Sequence, residues 1–210
     1  AGRPYAEQFN AVMTGLASSV SESESGPKLL TGTGSESIQL LIVMTAERGL
    51  CGGFNSNIVK LARAEAKKLL SEGKKVKIIT VGKKGRESLK REFGDFLVDH
   101  IDLSDVKRVV YSNAQAICEN ILRRFNSKEF DIAKIYFSEF ASIINQVPTE
   151  LQIIPAKFDS TFDESTVYDY EPSEEGILAD LLPRAVATQI FTALLENAAS
   201  EQGARMSAMD

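Results

Sequence analysis

The chain has 210 residues, 43% of them hydrophobic, with a formal net charge of -5 and an isoelectric point near 5.1. This composition is typical of an ordinary soluble protein with one well-packed core, and the negative charge argues against nucleic acid as a primary partner. No apolar stretch reaches the roughly 18 residues needed to span a bilayer. Two cysteines do not make a disulfide framework.

The first segment, residues 1–22, is predicted to be a helix of about five turns. Its apolar side chains recur at spacings of three and four residues: Tyr5, Phe9, Val12, Leu16 and Val20. Residues 23–37 are rich in Ser, Gly and Glu, and they predict a flexible linker.

An α/β domain is predicted over residues 38–158. The continuous apolar run from Ile38 to Thr45 is typical of a strand buried on both faces. Further apolar runs begin at Val76 and Ile132, and strands that alternate with helices predict a mostly parallel, Rossmann-like sheet with helices on both faces. A short connection separates two strands around Phe137 and Ile153, which favours an antiparallel hairpin at one edge.

Three helices are predicted between these strands. The first runs from about Ser56 to Leu70, and the second covers Lys83 to Phe93. A loop that contains the only histidine, His100, follows. Ser104 is then predicted to cap the third helix, whose apolar face ends at Phe125.

Two segments follow the sheet. Residues 159–172 are acidic and aromatic without a clear period, and Asp159, Asp163 and Glu164 lack the spacing of a calcium loop. Residues 173–210 predict a long helix, in which Pro183 indicates a boundary or kink near Leu182. This helix is longer than the sheet needs, so we expect it to pair with residues 1–22 as an antiparallel coiled coil. Neither end of the chain carries a helix cap, which suggests a fragment.

A glycine cluster, TAERGLCGGFNSN at residues 45–57, has three interpretations. A glycine-rich turn between strand and helix is the context of a phosphate site, but GLCGG matches neither nucleotide fingerprint. Cys51 near a helix N-terminus is a candidate thiol nucleophile, but no motif links it to His100 as its base. The third interpretation is a strand-to-helix corner in which Asn55 or Ser56 caps the helix.

Five segments together carry a resemblance to a known family. They occur in the order AGRPYAEQF, RGLCGGFNSNIVK, INQVPT, YDYEP and TQIFTALLENAASEQGARMSAMD. This series closely resembles the gamma subunit of F-type ATP synthases, the central rotor stalk, and the likeness covers nearly the whole chain. Relative to that family the chain is truncated at both ends. Two departures are Glu47, where the family usually has Asp, and Gln202-Gly203, which predicts a softer helix because glycine is a poor helix former.

The resemblance implies two sets of contact residues. The residues implied to contact the catalytic beta subunit are Arg48, Gly49, Cys51, Gly52 and Arg205. The residues implied to contact the c-ring of the membrane sector are Tyr168, Tyr170 and Glu171.

The resemblance also implies a mechanical function without catalytic residues, metal or cofactor. Flow of H⁺ or Na⁺ would turn the c-ring, and the subunit would turn with it and drive the beta subunits through their conformations. The implied partners are the alpha and beta subunits, an epsilon-type subunit and the c-ring, with no nucleic acid and no direct insertion into the bilayer. The implied location is the cytoplasmic face of the bacterial inner membrane, or the matrix side of the mitochondrial inner membrane. Two alternatives are a small Rossmann-type nucleotide-binding protein and a helical-arm adaptor.

Overall fold

The structure is a computed structural model that describes residues 7, 11, 27–157 and 174–210. Within these residues the strands are β1 (Ile38–Met44), β2 (Lys75–Val81), β3 (Leu97–Ile101), β4 (Ile132–Ser142) and β5 (Asn145–Ile154). The helices of two residues or more are α1 (Lys28–Thr31), α2 (Phe54–Ser71), α3 (Lys83–Phe93), α4 (Tyr111–Asn126) and α5 (Glu174–Met209), with a 3-10 turn at Gly94–Phe96.

The five strands form one sheet in the order β3-β2-β1-β4-β5. Four of them are parallel, and β5 pairs antiparallel with β4 across a tight turn. The mostly parallel sheet and its antiparallel edge hairpin are therefore confirmed.

Helices cover both faces of the sheet, as predicted. Successive residues of β1 point to opposite faces, so Leu40 and Ile42 pack under α4 and α5 while Leu41 and Val43 pack under α2 and α3. All four side chains are completely buried, which explains why this strand is a continuous apolar run in the sequence.

The predicted loop around His100 is wrong, because residues 97–101 form the edge strand β3. This strand is short and its residues are mostly half-buried, so it gives neither an apolar run nor a clean alternation. His100 lies in the sheet, with its Nδ1 atom 2.7 Å from Thr80 Oγ1 on the neighbouring strand.

The predicted start of the third helix at Ser104 is also wrong. Helix α4 begins at Tyr111, seven residues later. The Asn113 side chain accepts a hydrogen bond from Val110 N at 2.9 Å, so the residue that satisfies the helix start lies inside its first turn. A serine before an apolar residue is a weaker signal than this local hydrogen bond.

Helix α5 runs without interruption through Pro183, so a boundary near Leu182 is wrong, while the alternative of a kink there stays a prediction. Proline removes one helical hydrogen bond, but Leu182, Ala185 and Val186 are almost completely buried against the rest of the fold. This burial offsets the local cost. At 36 residues the helix is about 54 Å long.

The described part of the predicted linker, residues 27–37, contains one short helix and is bonded to the rest of the fold. Helix α1 lies within it, and Ala156 N donates to Leu29 O at 2.7 Å. The hydroxyl of Thr33 donates to Asp131 Oδ1 at 2.7 Å, and Ile38 N donates to Asp131 Oδ2 at 3.0 Å. Residues 27–37 are thus attached to the sheet. The coiled coil with residues 1–22 stays a prediction, since only Glu7 and Ala11 of that segment are described.

Different loops and helix ends lie at the two edges of the sheet. Its carboxyl edge, where the parallel strands end, carries the β1–α2 loop and the β4–β5 turn, and α5 ends there. Its amino edge carries the end of β5 and the start of α5, where Leu182 packs near Leu29 and Ala156.

Candidate functional site

The glycine loop, residues 45–53, connects β1 to α2 at the carboxyl edge. Its two ends are joined, because Ala46 N donates to Asn55 Oδ1 at 2.8 Å. Asn55 was predicted as a helix cap, but α2 begins at Phe54 after Gly53 and shows no side-chain cap. Ser56, the other predicted cap, donates its hydroxyl to Gly53 O at 3.1 Å instead. Asn55 closes the loop rather than capping the helix.

The base of the loop satisfies the N-terminus of α3. Thr45 Oγ1 accepts from Gly85 N at 2.7 Å, Ala46 O accepts from Lys84 N at 3.1 Å, and Glu47 Oε2 accepts from Lys83 N at 3.2 Å. A helix N-terminus attracts anions, and here the protein's own carboxylate already lies there. The N-terminus of α3 is therefore satisfied by groups of the chain itself.

Glycines allow this close approach of the loop to α3. Gly82 has φ +99, and a Cβ atom there would lie 2.2 Å from Thr45 O. A Cβ atom on Gly85 would lie 2.8 Å from Thr45 Oγ1. Both positions require glycine for the contact between loop and helix to form.

The tip of the loop projects into solvent. Leu50 is 84% exposed and has φ 60, a left-handed conformation that costs a non-glycine residue about 1–2 kcal/mol. Arg48 beside it is exposed, and Gly52 is exposed with φ 57. An exposed leucine in a strained conformation contributes little to stability, so it points to a role in contact with a partner.

Cys51 does not have the surroundings of a reactive thiol. Its side chain is buried, and burial raises its pKa although the charge of Arg205 acts in the opposite direction. Its sulfur accepts from Asn55 Nδ2 at 3.4 Å. The histidine that would serve as base, His100, is paired with Thr80 on the far side of β2. Cys51 is one of the predicted contact residues, but because its side chain is buried, a partner could contact only its backbone.

The last turns of α5 join the glycine loop. Arg205 Nη2 donates to Gly49 O at 3.4 Å and forms an ion pair with Glu201 at 2.7 Å. Ala208 lies near Gly52, since a Cβ atom added to Gly52 would be 3.9 Å from the Cβ atom of Ala208. The structure thus brings together four predicted contact residues, Arg48, Gly49, Gly52 and Arg205, at one place.

The opposite side of the same turns joins the β4–β5 turn. The hydroxyl of Ser207 donates to Ile143 O at 3.0 Å. Gly203 lies against the hairpin, since a Cβ atom there would be 3.1 Å from Phe140 Cε2. The glycine that was predicted to soften the helix lets the helix approach the hairpin.

These three parts form one surface, which we call the carboxyl-edge surface: residues 48–52, 143–144 and 205–209. Its exposed apolar side chains are Leu50, Ile143, Ile144, Met206 and Met209. Sequence reasoning missed all five as site residues. The signal that was available is the pair of isoleucines at the tip of a predicted hairpin, where polar turn residues are usual.

Comparison with known proteins identifies the family. A family model described as ATP synthase matches residues 1–210. An ATP synthase gamma chain of Cereibacter sphaeroides is 66% identical over 210 residues, which are 100% of this chain and 73% of that protein. The gamma chain of Dinoroseobacter shibae is also 66% identical, with the same coverage. The chain belongs to the ATP synthase gamma chain family.

Solved structures agree on the fold. The central stalk and c-ring structure of Tetrahymena thermophila mitochondrial ATP synthase aligns with a TM-score of 0.71 at 24% identity, covering 100% of this chain and 91% of that one. A rotor structure of Euglena gracilis mitochondrial ATP synthase aligns at 0.58 and 18% identity, covering 99% and 85%. As a gamma chain, the protein is a central stalk subunit of ATP synthase.

The remaining predicted site residues of this gamma chain are not among the described residues. Tyr168, Tyr170 and Glu171 are outside the described residues, as are the carboxylates of the acidic segment, Asp159, Asp163 and Glu164. Within the described ranges, no three His, Cys, Asp or Glu side chains are grouped so that they could hold a metal ion. Nor does the described part of the chain contain a helix that is long and apolar enough to cross a membrane.

Proposed function

We propose that this central stalk subunit couples rotation of the c-ring to conformational cycling of the catalytic beta subunits. Flow of H⁺ or Na⁺ would turn the c-ring, this chain would turn with it, and its asymmetric surface would meet each beta subunit in turn. The chain would carry no catalytic group, since nucleotide chemistry would belong to the alpha and beta subunits. For that purpose a rotor must be stiff and asymmetric.

The attachment of α5 to the rest of the fold carries this proposal. Strand β4 continues beyond Tyr136, the last residue that pairs with β1. Side chains of α5 form hydrogen bonds with the β4 backbone groups on that side of the strand. Asn197 Oδ1 accepts from Ser138 N at 2.9 Å, and Ser200 Oγ donates to Ser138 O at 3.0 Å. Glu196 accepts from Phe140 N at 2.8 Å. All three bonds are partly or wholly buried, so a turning force on α5 would reach the sheet without slip.

The position of the described contact region supports the same function. The carboxyl-edge surface lies at one end of the parallel sheet, and we propose that it faces the beta subunits through Arg48, Gly49, Gly52 and Arg205, with Cys51 contributing its backbone. Strand β5 ends at Ile154 and α5 begins at Glu174, both at the amino edge of the sheet. We propose that Tyr168, Tyr170 and Glu171 contact the c-ring. A sheet of about 20 Å would then separate the input and output of torque.

The chemistry of the carboxyl-edge surface suits a protein partner. Leu50, Ile144 and Met206 are exposed apolar side chains of this surface, and Arg48 is an exposed cation two residues before Leu50. Interface centres are enriched in methionine and arginine, and an apolar group with a nearby charge gives both affinity and orientation. We therefore expect an acidic or apolar segment of the beta subunit opposite this surface.

The other proposed partners follow from this placement in the complex. They are the alpha subunit and an epsilon-type subunit, with neither nucleic acid nor the bilayer itself in contact. The proposed location is peripheral, at the cytoplasmic face of the bacterial inner membrane or the matrix side of the mitochondrial one.

The test is ion pumping in membrane vesicles that carry ATP synthase assembled with this subunit. Arg48→Ala should lower the number of ions pumped per ATP hydrolysed, because it removes the exposed charge of the contact surface. Arg91→Ala is the matched control, since Arg91 is exposed near the end of α3, at the other edge of the sheet.

Two results would refute the proposal. One is an unchanged ratio for Arg48→Ala together with an unchanged ratio for Leu50→Ser. The other is saturable, stoichiometric binding of ATP to the chain alone, which would favour the nucleotide-binding alternative.

A further inference from the structure

We infer that Glu47 is a positioning residue that fixes the direction in which the glycine loop presents Arg48 to the catalytic head. This inference rests on the proposed function, because it needs the loop tip to be a contact. Glu47 itself does not have to touch a partner. Its half-buried carboxylate bonds backbone N–H groups at the carboxyl edge of the sheet and acts on the loop through the backbone.

The Glu47 carboxylate joins three segments that are distant in sequence. Its Oε1 atom accepts from Leu103 N, beyond β3, at 2.8 Å. Its Oε2 atom accepts from Lys83 N, the first residue of α3, at 3.2 Å. Hydrogen bonds to an ionised group are stronger than neutral ones, and the helix N-terminus adds a favourable field. One side chain therefore connects the ends of β1, β2 and β3.

Glu47 lies between a fixed residue and an exposed one, so its hydrogen bonds affect where the exposed residue lies. Ala46 before it is buried and fixed on both sides, by Asn55 and by Lys84. Arg48 after it is exposed. Glu47 is the last residue of this strand end whose side chain bonds the body of the fold. Because consecutive Cα atoms are about 3.8 Å apart, its placement determines where the next residue can lie.

Loss of the carboxylate should free the loop without unfolding α3. The other two N–H groups of the α3 start keep their acceptors, Thr45 Oγ1 and Ala46 O. The substitution Glu47→Gln keeps one acceptor oxygen but removes the charge, so this variant should lie between the parent and Glu47→Ala. Glu87→Ala is the matched control, since it removes a half-exposed carboxylate of α3 that pairs with the side chains of Lys83 and Lys84.

The experiment combines two measurements on the assembled ATP synthase. Hydrogen exchange followed by mass spectrometry reports the backbone N–H groups of Lys83 and Leu103. Glu47→Ala should speed their exchange about tenfold or more, whereas Glu87→Ala should not. Ion pumping per ATP hydrolysed reports coupling. Glu47→Ala should lower this ratio about twofold or more, with Glu47→Gln intermediate.

The outcomes separate this inference from the proposed function. If Arg48→Ala lowers the pumping ratio and Glu47→Ala and Glu47→Gln do not, the positioning role is overturned while the rotor contact stands. Unchanged exchange at Lys83 and Leu103 in Glu47→Ala overturns it as well. If Arg48→Ala and Leu50→Ser both leave the ratio unchanged, the proposed contact fails and this inference fails with it. A graded loss, largest for the alanine variant and smaller for the glutamine variant, supports it.

Discussion

Replacing Gly82 by alanine should destabilise the fold far more than the same change at Gly73. Both glycines have positive φ, +99 and +77, so both variants pay the cost of a left-handed alanine, about 1 kcal/mol. Nothing lies within 4 Å of a Cβ atom on Gly73, whereas on Gly82 it would lie 2.2 Å from Thr45 O. The pair therefore separates backbone strain from close approach.

The larger cost at Gly82 comes from the hydrogen bonds of Thr45. Real Cβ atoms essentially never come within 3.0 Å of such an atom, so Thr45 or the start of α3 must move. The movement disturbs the bond from Gly85 N to Thr45 Oγ1 at 2.7 Å and the bond from Thr45 N to Val81 O at 2.8 Å. At about 1–1.5 kcal/mol each, these two losses and the backbone strain bring the Gly82→Ala cost to about 3–4 kcal/mol.

Urea unfolding followed by circular dichroism measures both variants against the parent chain. The difference of about 2–3 kcal/mol should also appear as a gap of about 4–12 °C in Tm. Equal destabilisation of the two variants, within about 0.5 kcal/mol, would show that the loop does not need its close contact with α3.

Three further results are expected. Burial would raise the pKa of Asp131, but the hydrogen bonds that it accepts outweigh burial, and its pKa lies below the ordinary value for aspartate. The charged Asp131 therefore stabilises the fold fully above that ordinary value, and this stabilisation is lost as pH falls through the folded pKa. The parent should be more stable than Asp131→Asn at pH 7, and the difference should shrink below about pH 4. A difference that stays constant with pH would contradict this. Cys51 and Cys118 should react with a thiol reagent at pH 8 only after unfolding, since burial raises the pKa of both thiols, that of Cys118 to about 12. Fast labelling of the folded chain would support the reactive-thiol hypothesis instead. Leu50→Gly should leave the unfolding free energy unchanged or raise it by up to about 1 kcal/mol while it lowers ion pumping per ATP, and a destabilised variant would mean that Leu50 supports the fold.

Periodicity located most of the fold because the decisive signals are local. A strand such as β1, buried on both faces, is apolar at almost every position, and α2 and α3 show their inner faces at helical spacing. The failure at β3 has the same origin, since an edge strand of five residues, four half-buried and one exposed, carries too little apolar content to be recognised. At Pro183 the usual tendency of proline to end a helix is offset by burial of the neighbouring side chains, which only the tertiary structure supplies.

The candidate site was only partly readable for a related reason. Glycines at residues 49, 52 and 53 mark the loop, and the resemblance assigned it a contact. The roles of Glu47 and Asn55 depend on partners up to 56 residues away, Leu103 among them, and no local pattern reports such a bond. The left-handed backbone of Leu50 is equally hidden, because leucine is not a residue that signals positive φ.

The order of the strands bears on how this chain folds during synthesis. The central strand β1 pairs with β2 early in the sequence, but its other neighbour, β4, begins only at Ile132. On the ribosome, β1, β2 and β3 with α2 and α3 can therefore assemble while one edge of β1 and the face that carries Leu40 and Ile42 are still uncovered. Unpaired edges and bare apolar faces are sites of aggregation. A nascent chain that has not yet reached Ile132 therefore exposes this edge and this apolar face, and we expect chaperones to be needed most at that stage.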